Sequence, residues 1–310
     1  MLQTVASTLI GVIVPLSVPV AAGALLARFR TWDTKPLLSL YLYVLSPAII
    51  YDTLRNAHIS LDELYSTIGF ALVNLLLMWG VAIAAGRLAR LDSAERAGLT
   101  LISTLTNSAN YGLPLVLLAF GQLGLDKASV YVITQMILVN TVGVYFAARS
   151  QFSVQSAVKS VFALPAVYAA ALAVFLKCFG LHLTAGLEQG ISMVADAYSP
   201  VVLTILGAQM VKVGRPEAKQ VKPAAFWAGT AIRLLLAPLI AFTALKLLGI
   251  SGLLFSVLFI QASMPVAVNA VVLAERFDAA PGLVSKCIVW TTLASFLALP
   301  ALIVIVQALS

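Results

Sequence analysis

The chain has 310 residues, of which 61% are apolar and 10% are charged, whereas a soluble globular domain carries roughly 25% charged and 45–50% apolar residues. So few charged side chains cannot cover a water-soluble surface, which excludes a soluble enzyme, a disordered chain and a nucleic-acid-binding protein. The composition is typical of an all-α polytopic membrane protein, whose immediate surroundings are the lipid bilayer.

Ten stretches of the chain are long and apolar enough for membrane helices, each of which needs about 20 predominantly apolar residues. In chain order they cover residues 4–27, 36–54, 64–86, 97–121, 128–148, 161–180, 188–211, 223–248, 252–274 and 282–308. The connections between them are short, so we expect ten transmembrane helices and no separate soluble domain.

Lysine and arginine residues fall unevenly on the two sides of such a bundle. Of these 19 residues, fourteen lie at the odd-numbered connections, four lie at the even-numbered ones, and Arg233 lies inside the eighth stretch. Because cytoplasmic loops are enriched in lysine and arginine, the odd-numbered connections are predicted to be cytoplasmic. Both termini then lie on the non-cytoplasmic side of a bacterial inner (plasma) membrane. The net charge of +7 is explained by this topology without a nucleic-acid partner.

The two halves of the chain follow a common plan. Residues 1–153 and 154–310 each hold five of the apolar stretches, with breaker residues in the second and fourth of each half. Ser-Pro pairs at Pro47 and Pro200, 153 residues apart, mark the two second stretches. An odd number of spans turns the second copy upside down, and such a 5+5 inverted repeat is typical of secondary transporters.

The fourth stretch is broken by polar and helix-disrupting residues at 106–115, TNSANYGLPL. Pro114 cannot donate to the helix ladder, and its ring clashes with the carbonyl of Asn110. Gly112 adds backbone freedom, and Asn107 adds a second carboxamide. At membrane depth, freed backbone groups are tolerated only where protein or a wet cavity satisfies them.

The ninth stretch repeats this pattern at 261–270, QASMPVAVNA, with Ser263, Pro265 and Asn269. Paired broken helices indicate a substrate-binding site, because their free backbone groups and helix ends face the ligand. The N-terminal end of a helix suits an anion, and an asparagine can orient a carboxylate without adding net charge. The alternative is two proline kinks whose asparagines bond neighbouring helices.

Two ionisable residues are candidates for function within the apolar stretches. Arg233 lies too deep to reach the interface easily, so it either contacts an anionic substrate or forms a structural ion pair with Asp196 or Glu275. Asp196, which precedes Pro200 by about one turn, either binds a coupling proton or is a helix-end residue that faces water. The sequence leaves both pairs of alternatives open.

No cluster of histidine, cysteine and carboxylate residues, no phosphate-binding loop and no hydrolase motif is present. The two cysteines, Cys178 and Cys287, have no disulfide or zinc-site spacing. We therefore expect no cofactor, no metal site and no catalytic residue, and the chain is not predicted to be an enzyme.

The segments at residues 107–121, NSANYGLPLVLLAFG, and 264–278, MPVAVNAVVLAERFD, resemble the two crossover segments of the auxin efflux carrier family, which includes plant and bacterial carriers of organic acids. The resemblance covers essentially the whole chain, except that the large central cytoplasmic loop of the plant members is missing. It implies helices four and nine that cross one another, with Asn110, Gly112 and Pro114 at the first crossover and Pro265 and Asn269 at the second.

The resemblance also implies how such a protein moves. Spans 1, 2, 6 and 7 would form a scaffold that dimerises, with scaffold kinks at Pro47 and Pro200. Spans 3–5 and 8–10 would form a mobile domain that carries the substrate across the bilayer like an elevator.

We therefore expect a secondary transporter that moves a small organic anion, a dicarboxylate or an auxin-like carboxylate, and works as a homodimer. The first alternative is a sodium-coupled carrier of the bile-acid symporter type, although sodium sites generally need clustered carboxylate and carbonyl oxygens and neither break holds an acidic residue. The second alternative is a membrane sensor or an intramembrane enzyme, for which no output domain and no catalytic constellation is encoded.

Overall fold

The computed structural model describes residues 9–30, 35–56, 60–143, 145–146, 162–213 and 221–309. The predicted boundary between the two halves, at residues 153 and 154, lies outside these ranges. All regular structure in the described residues is helical, and the β-type pairing there is an isolated bridge between Thr106 and Val266. The prediction of an all-α protein is confirmed.

The α-helices of the described residues overlap all ten apolar stretches predicted from the sequence. They are α1 (Val14–Phe29), α2 (Lys35–Leu40), α3 (Ser46–Asn56), α4 (Leu61–Leu88), α5 (Ser93–Thr104), α6 (Leu113–Leu138), α7 (Pro165–Cys178), α8 (Ala185–Asp196), α9 (Tyr198–Val213), α10 (Pro223–Ala231), α11 (Ala237–Leu247), α12 (Gly252–Ala262), α13 (Ala270–Arg276) and α14 (Pro281–Leu309). The fourth and fifth stretches share α6, which bends sharply at Gly121, where φ is 67° and ψ is −165°.

Seven described helical segments are long and apolar enough to cross a membrane. They are Ile10–Phe29, Pro36–Asn56, Leu61–Leu88, Ser108–Gly143, Ala185–Val211, Pro223–Leu247 and Pro281–Ala308. Two shorter apolar helices, α7 and α12, accompany them. The chain is therefore an integral membrane protein, whereas the count of ten spans and their inverted arrangement remain predictions.

Short π-helical turns precede several prolines. Those at Leu9–Ile13, Tyr41–Leu45, Ser108–Gly112 and Ile232–Leu236 end two residues before Pro15, Pro47, Pro114 and Pro238, respectively. A proline has no N–H to donate and its ring crowds the carbonyl four residues earlier, and one extra residue in the preceding turn relieves that crowding. At these places the prolines widen a helix and do not end it.

Helices α1 and α9 approach each other closely because each presents a glycine to the backbone of the other. A side chain at Gly23 would overlap the Thr204 carbonyl, and one at Gly207 would overlap the Val20 carbonyl. Small residues allow this kind of close packing between apolar helices, where the hydrophobic effect does not hold them together. These reciprocal contacts fix the first apolar stretch against the seventh.

The other helices surround the broken stretches. Helix α3 packs against α7 and α8, α5 packs against α4 and α14, and α12 packs against α6 and α11. At one end of the molecule, the ammonium of Lys222, which caps α10, lies 2.7 Å from the carboxylate of Glu95 in the first turn of α5. These helix contacts surround the segments between α5 and α6 and between α12 and α13.

Candidate functional site

The two predicted breaks are present; the first is displaced from its expected position, and the second lies within the predicted segment 261–270. Helix α5 ends at Thr104 and the chain is helical again from Ser108, as a π turn that leads into α6. Helix α12 ends at Ala262 and α13 begins at Ala270. The first break is therefore only three residues long, 105–107, because Pro114 acts on the π turn and does not interrupt the helix.

The two breaks are joined to each other through their backbones. The Asn107 N–H donates to the Pro265 carbonyl at 2.9 Å, and the Ala267 N–H donates to the Leu105 carbonyl at 3.0 Å. These bonds flank the antiparallel bridge between Thr106 and Val266. Backbone groups that the helices leave unpaired thus satisfy one another, as a buried location requires.

A cavity of about 390 Å³ opens beside this pairing. It is within the size range of small-molecule sites. Both breaks contribute to its wall, together with residues of the second and fifth apolar stretches. Its lining residues include Tyr41, Asn107, Ser108, Asn110, Gln135 and Asn269.

Three of the predicted site residues, Asn107, Asn110 and Asn269, line this cavity. Asn107 and Asn110 are 3% and 4% exposed, and Nδ2 of Asn107 and Oδ1 of Asn110 have no hydrogen-bond partner among the described residues. Asn269 is exposed and occupies the N-cap position of α13. An unmet buried polar group is costly, so both asparagines carry a polar atom whose hydrogen-bonding need is not met among the described residues.

Gly112 and Pro114 lie behind the cavity wall and are buried. The expected role of Gly112 was backbone freedom, and this is wrong, because its φ of −68° and ψ of −42° are ordinary helical values. A Cβ at position 112 would meet the carboxamide of Gln261 on α12, so a larger residue there would require the Gln261 side chain to move. The residue brings the π turn into contact with the second broken stretch.

Ser263 and Pro265 take part in hydrogen bonds that hold the second break in place. The Ser263 hydroxyl donates to the Phe259 carbonyl at 2.7 Å, within its own chain segment. Pro265 supplies the carbonyl that pairs with the first break. The N–H of Val266 donates to the hydroxyl of Thr291 on α14 at 3.3 Å, which anchors the second break to the last helix.

Arg233 lies on the π turn Ile232–Leu236 and is 1% exposed. Its Nη1 donates to the Ser103 carbonyl at 2.8 Å, and its Nη2 donates to the Ala262 carbonyl. In the part of the chain that the structure describes, the hydrogen bonds of this guanidinium go to backbone oxygens and none goes to Asp196 or Glu275, both of which are exposed. The ion pair considered from the sequence is therefore wrong.

The remaining predicted residues lie away from the cavity. Asp196 is exposed at the end of α8, Pro200 is exposed in the first turn of α9, and Pro47 is half-buried in the first turn of α3. Tyr198 links α9 to the π turn after the first break, because its hydroxyl donates to the Ala109 carbonyl at 3.3 Å. The proposed coupling role of Asp196 stays a prediction.

Sequence reasoning missed Gln135 and Tyr41, which complete the polar part of the lining. Gln135 is a buried carboxamide in the middle of the fifth apolar stretch, and it donates to the Tyr131 hydroxyl at 2.9 Å. The signal that identified the asparagines, a polar residue far inside an apolar run, applies equally to Gln135. Tyr41 carries no such signal, because tyrosine is common in membrane helices.

The cavity has a defined chemical character. Among the residues that line it, polar contacts come from carboxamides, hydroxyls and backbone, and none has a charged side chain. Neutral donors and the positive N-terminal ends of helices suit an anion or a polar neutral solute.

Comparison with known proteins agrees with this architecture. The sequence profile of the membrane transport protein family (Mem_trans) matches residues 10–303. The chain is 29% identical over 270 residues to an uncharacterized transporter of Methanothermobacter thermautotrophicus, a match that covers 86% of this chain and 87% of the relative. It is 26% identical over 276 residues to an uncharacterized transporter of Methanocaldococcus jannaschii, a match that covers 85% of this chain and 86% of the relative. With its membrane helices and its two paired breaks, the chain belongs to the membrane transport protein family, which includes the auxin efflux carriers, and it is a membrane transporter.

Proposed function

We propose that this transporter is a secondary carrier of a small organic anion, which binds in the cavity between the two breaks. The observation that carries the proposal is the pair of buried asparagines, Asn107 and Asn110, which line a cavity without charged side chains. Each carries a buried polar atom that has no hydrogen-bond partner among the described residues. Their carboxamides can orient a carboxylate, and the helix that follows the first break directs its positive end to the same place.

The substrate is proposed to cross the membrane by elevator-type alternating access. In this mechanism the first, second, sixth and seventh apolar stretches form the scaffold of a homodimer, and the other six move with the substrate. The packing of α1 on α9 and of α3 on α7 and α8 supports such a scaffold. The mutual hydrogen bonds of the two breaks support a mobile unit in which both halves of the site travel together.

Uptake into proteoliposomes tests the proposal directly. Purified protein is reconstituted with internal malonate, malate or indole acetate, and exchange against the same labelled anion is measured, with empty liposomes as the control. We expect exchange of at least one carboxylate that saturates with concentration. Folded protein that exchanges no carboxylate at any pH contradicts the proposal.

The same assay separates the proposed carrier from a sodium-coupled symporter. Replacing sodium by potassium on both sides is expected to leave the exchange rate unchanged, because no acidic side chain lines the described cavity. An exchange rate that falls severalfold without sodium favours the sodium-coupled alternative.

A further inference from the structure

The C-terminal ends of two broken helices meet at one arginine. Helices α5 and α12 both end at the breaks, where their last carbonyl groups lack partners within the helix and carry a partial negative charge. The guanidinium of Arg233 donates to Ser103 in the last turn of α5 and to Ala262 at the end of α12. One side chain therefore joins the two negative helix ends, although its partners in sequence are 130 and 29 residues away.

Arg233 is buried, so nearby groups must balance its positive charge. The residue is 1% exposed, and an isolated charge is expensive inside an apolar protein. Its hydrogen-bond acceptors among the described residues are carbonyl oxygens, so the two helix ends supply the compensating negative potential. The π turn Ile232–Leu236, which precedes Pro238, places the guanidinium between them.

Arg233 does not line the cavity, whereas Asn107 and Asn269, which precede the helical segments after the two breaks, do line it. The arginine lies at the C-terminal ends of α5 and α12, whereas the residues that begin the following segments face the cavity together with Leu105, which directly follows α5. The positive N-terminal ends of the following segments favour an anion in the cavity.

We propose that Arg233 is a built-in counter-cation for the ends of α5 and α12, and that it positions both breaks without contacting the substrate. The inference concerns the resting protein and is independent of the solute carried, so its test measures stability and not transport.

Chemical rescue of Arg233→Ala tests the proposal. The substitution removes both hydrogen bonds and leaves a space the size of a guanidinium group. In detergent, we expect it to lower the Tm by roughly 5–15 °C. Guanidinium chloride at millimolar concentration, far below denaturing levels, is expected to restore at least half of that loss. Urea, a neutral molecule of the same shape, is expected to restore none, since the helix ends require a positive charge.

Three further variants separate charge compensation from a merely structural role. Arg233→Lys keeps the charge and is expected to retain most of the Tm of the native protein. Arg233→Met fills the space without a charge, so it is expected to lose stability and to gain nothing from guanidinium. Arg276→Ala removes an exposed arginine from the end of α13 and is the matched control, for which guanidinium is expected to change nothing.

The proposal is overturned if Arg233→Met is as stable as the native protein, if urea rescues as well as guanidinium, or if Arg276→Ala responds equally to guanidinium. If Arg233→Ala aggregates during purification, the comparison is made on the yield of monodisperse protein. Guanidinium in the extraction buffer is then expected to raise the yield of Arg233→Ala and not that of Arg233→Met. Equal yields with and without guanidinium overturn the proposal.

Discussion

Asn107 in the first break and Asn110 in the π turn after it have opposite unmet hydrogen-bonding needs. Nδ2 of Asn107 lacks an acceptor, and Oδ1 of Asn110 lacks a donor. A carboxamide can present either its N–H groups or its oxygen after a half-turn, so both residues can donate to the oxygens of a carboxylate. Neither adds a charge that would hold the substrate too tightly for release.

The role of Asn110 is tested by Asn110→Ala. A hydrogen bond to a charged group contributes about 1.5–3 kcal/mol, which corresponds to a loss of affinity of roughly 10- to 100-fold. We expect the half-saturating concentration of the transported carboxylate to rise by that factor in the exchange assay. The Tm is expected to be unchanged or higher, because the native carboxamide oxygen is buried without a partner.

Asn56→Ala is the matched control for this substitution. Asn56 is exposed at the end of α3, and its carboxamide donates to the backbone of Asp52 at 2.9 Å, so exchange is expected to proceed as in the native protein. An Asn110→Ala variant that exchanges normally means that Asn110 is a structural residue and that the substrate binds elsewhere.

Individual residues were predictable where the signal is local. Asn107, Asn110 and Asn269 stand out as carboxamides inside apolar runs, and all three line the cavity. The partners of Arg233 were not predictable, because they are backbone carbonyls of distant segments and any residue type supplies a carbonyl. The contact of Gly112 with Gln261 was not predictable either, because tertiary packing brings Gln261 there.

At the scale of helices, the contact of α1 with α9 depends on the absence of a side chain at two positions. The Cβ of Gly23→Ala would overlap the Thr204 carbonyl, and backbone cannot rotate away as a side chain can. Overpacking of this kind typically costs 1–3 kcal/mol. We expect Gly23→Ala to lower the free energy of unfolding by about 2 kcal/mol or more, measured as a lower Tm in detergent.

Gly190→Ala makes the same change in a helix that leaves space for it. Among the described residues, no atom other than those of its own helix backbone and chain neighbours lies within 4 Å of the position that the new Cβ would take on α8. Alanine is favoured over glycine inside a helix by roughly 0.5–1 kcal/mol. The Tm of Gly190→Ala is therefore expected to match or exceed that of the native protein. Equal Tm values for the two variants contradict the close contact of α1 and α9.

The positions of the helices were predictable to a large extent, because long apolar runs leave few alternatives in a membrane. The exact form of the breaks was not. Pro114 was expected to break its helix, whereas the structure accommodates it by a π turn and breaks the chain earlier, at 105–107. The choice between a widened turn and a broken helix is made by the neighbours that donate hydrogen bonds to the freed carbonyls, as Arg233 does to Ser103.

For the whole molecule, the distribution of lysine and arginine predicts which ends face the cytoplasm, and two native cysteines can test it. Cys178 is exposed at the end of α7, next to a predicted non-cytoplasmic connection, and Cys287 is buried in α14. A membrane-impermeant maleimide applied to intact spheroplasts is therefore expected to label the native protein. The label is expected to disappear in Cys178→Ala and to persist in Cys287→Ala.

If Cys178 is labelled only after the membrane is permeabilised, the predicted orientation is wrong. The class of protein and its orientation follow from average properties of many residues, so the sequence predicts them without knowledge of any contact. The cavity depends on how the two halves of the chain meet, and the sequence alone indicates only which segments take part.

The paired hydrogen bonds between Asn107 and Pro265 and between Ala267 and Leu105 have a thermodynamic consequence for binding. They hold the backbone of both breaks in place before any ligand arrives, so the ordering entropy of these segments is already spent in folding. A ligand that meets a preorganised site loses less affinity to conformational ordering than one that must assemble it. A solute of only a few atoms, with few contacts to offer, can therefore be recognised by a site built largely from main chain.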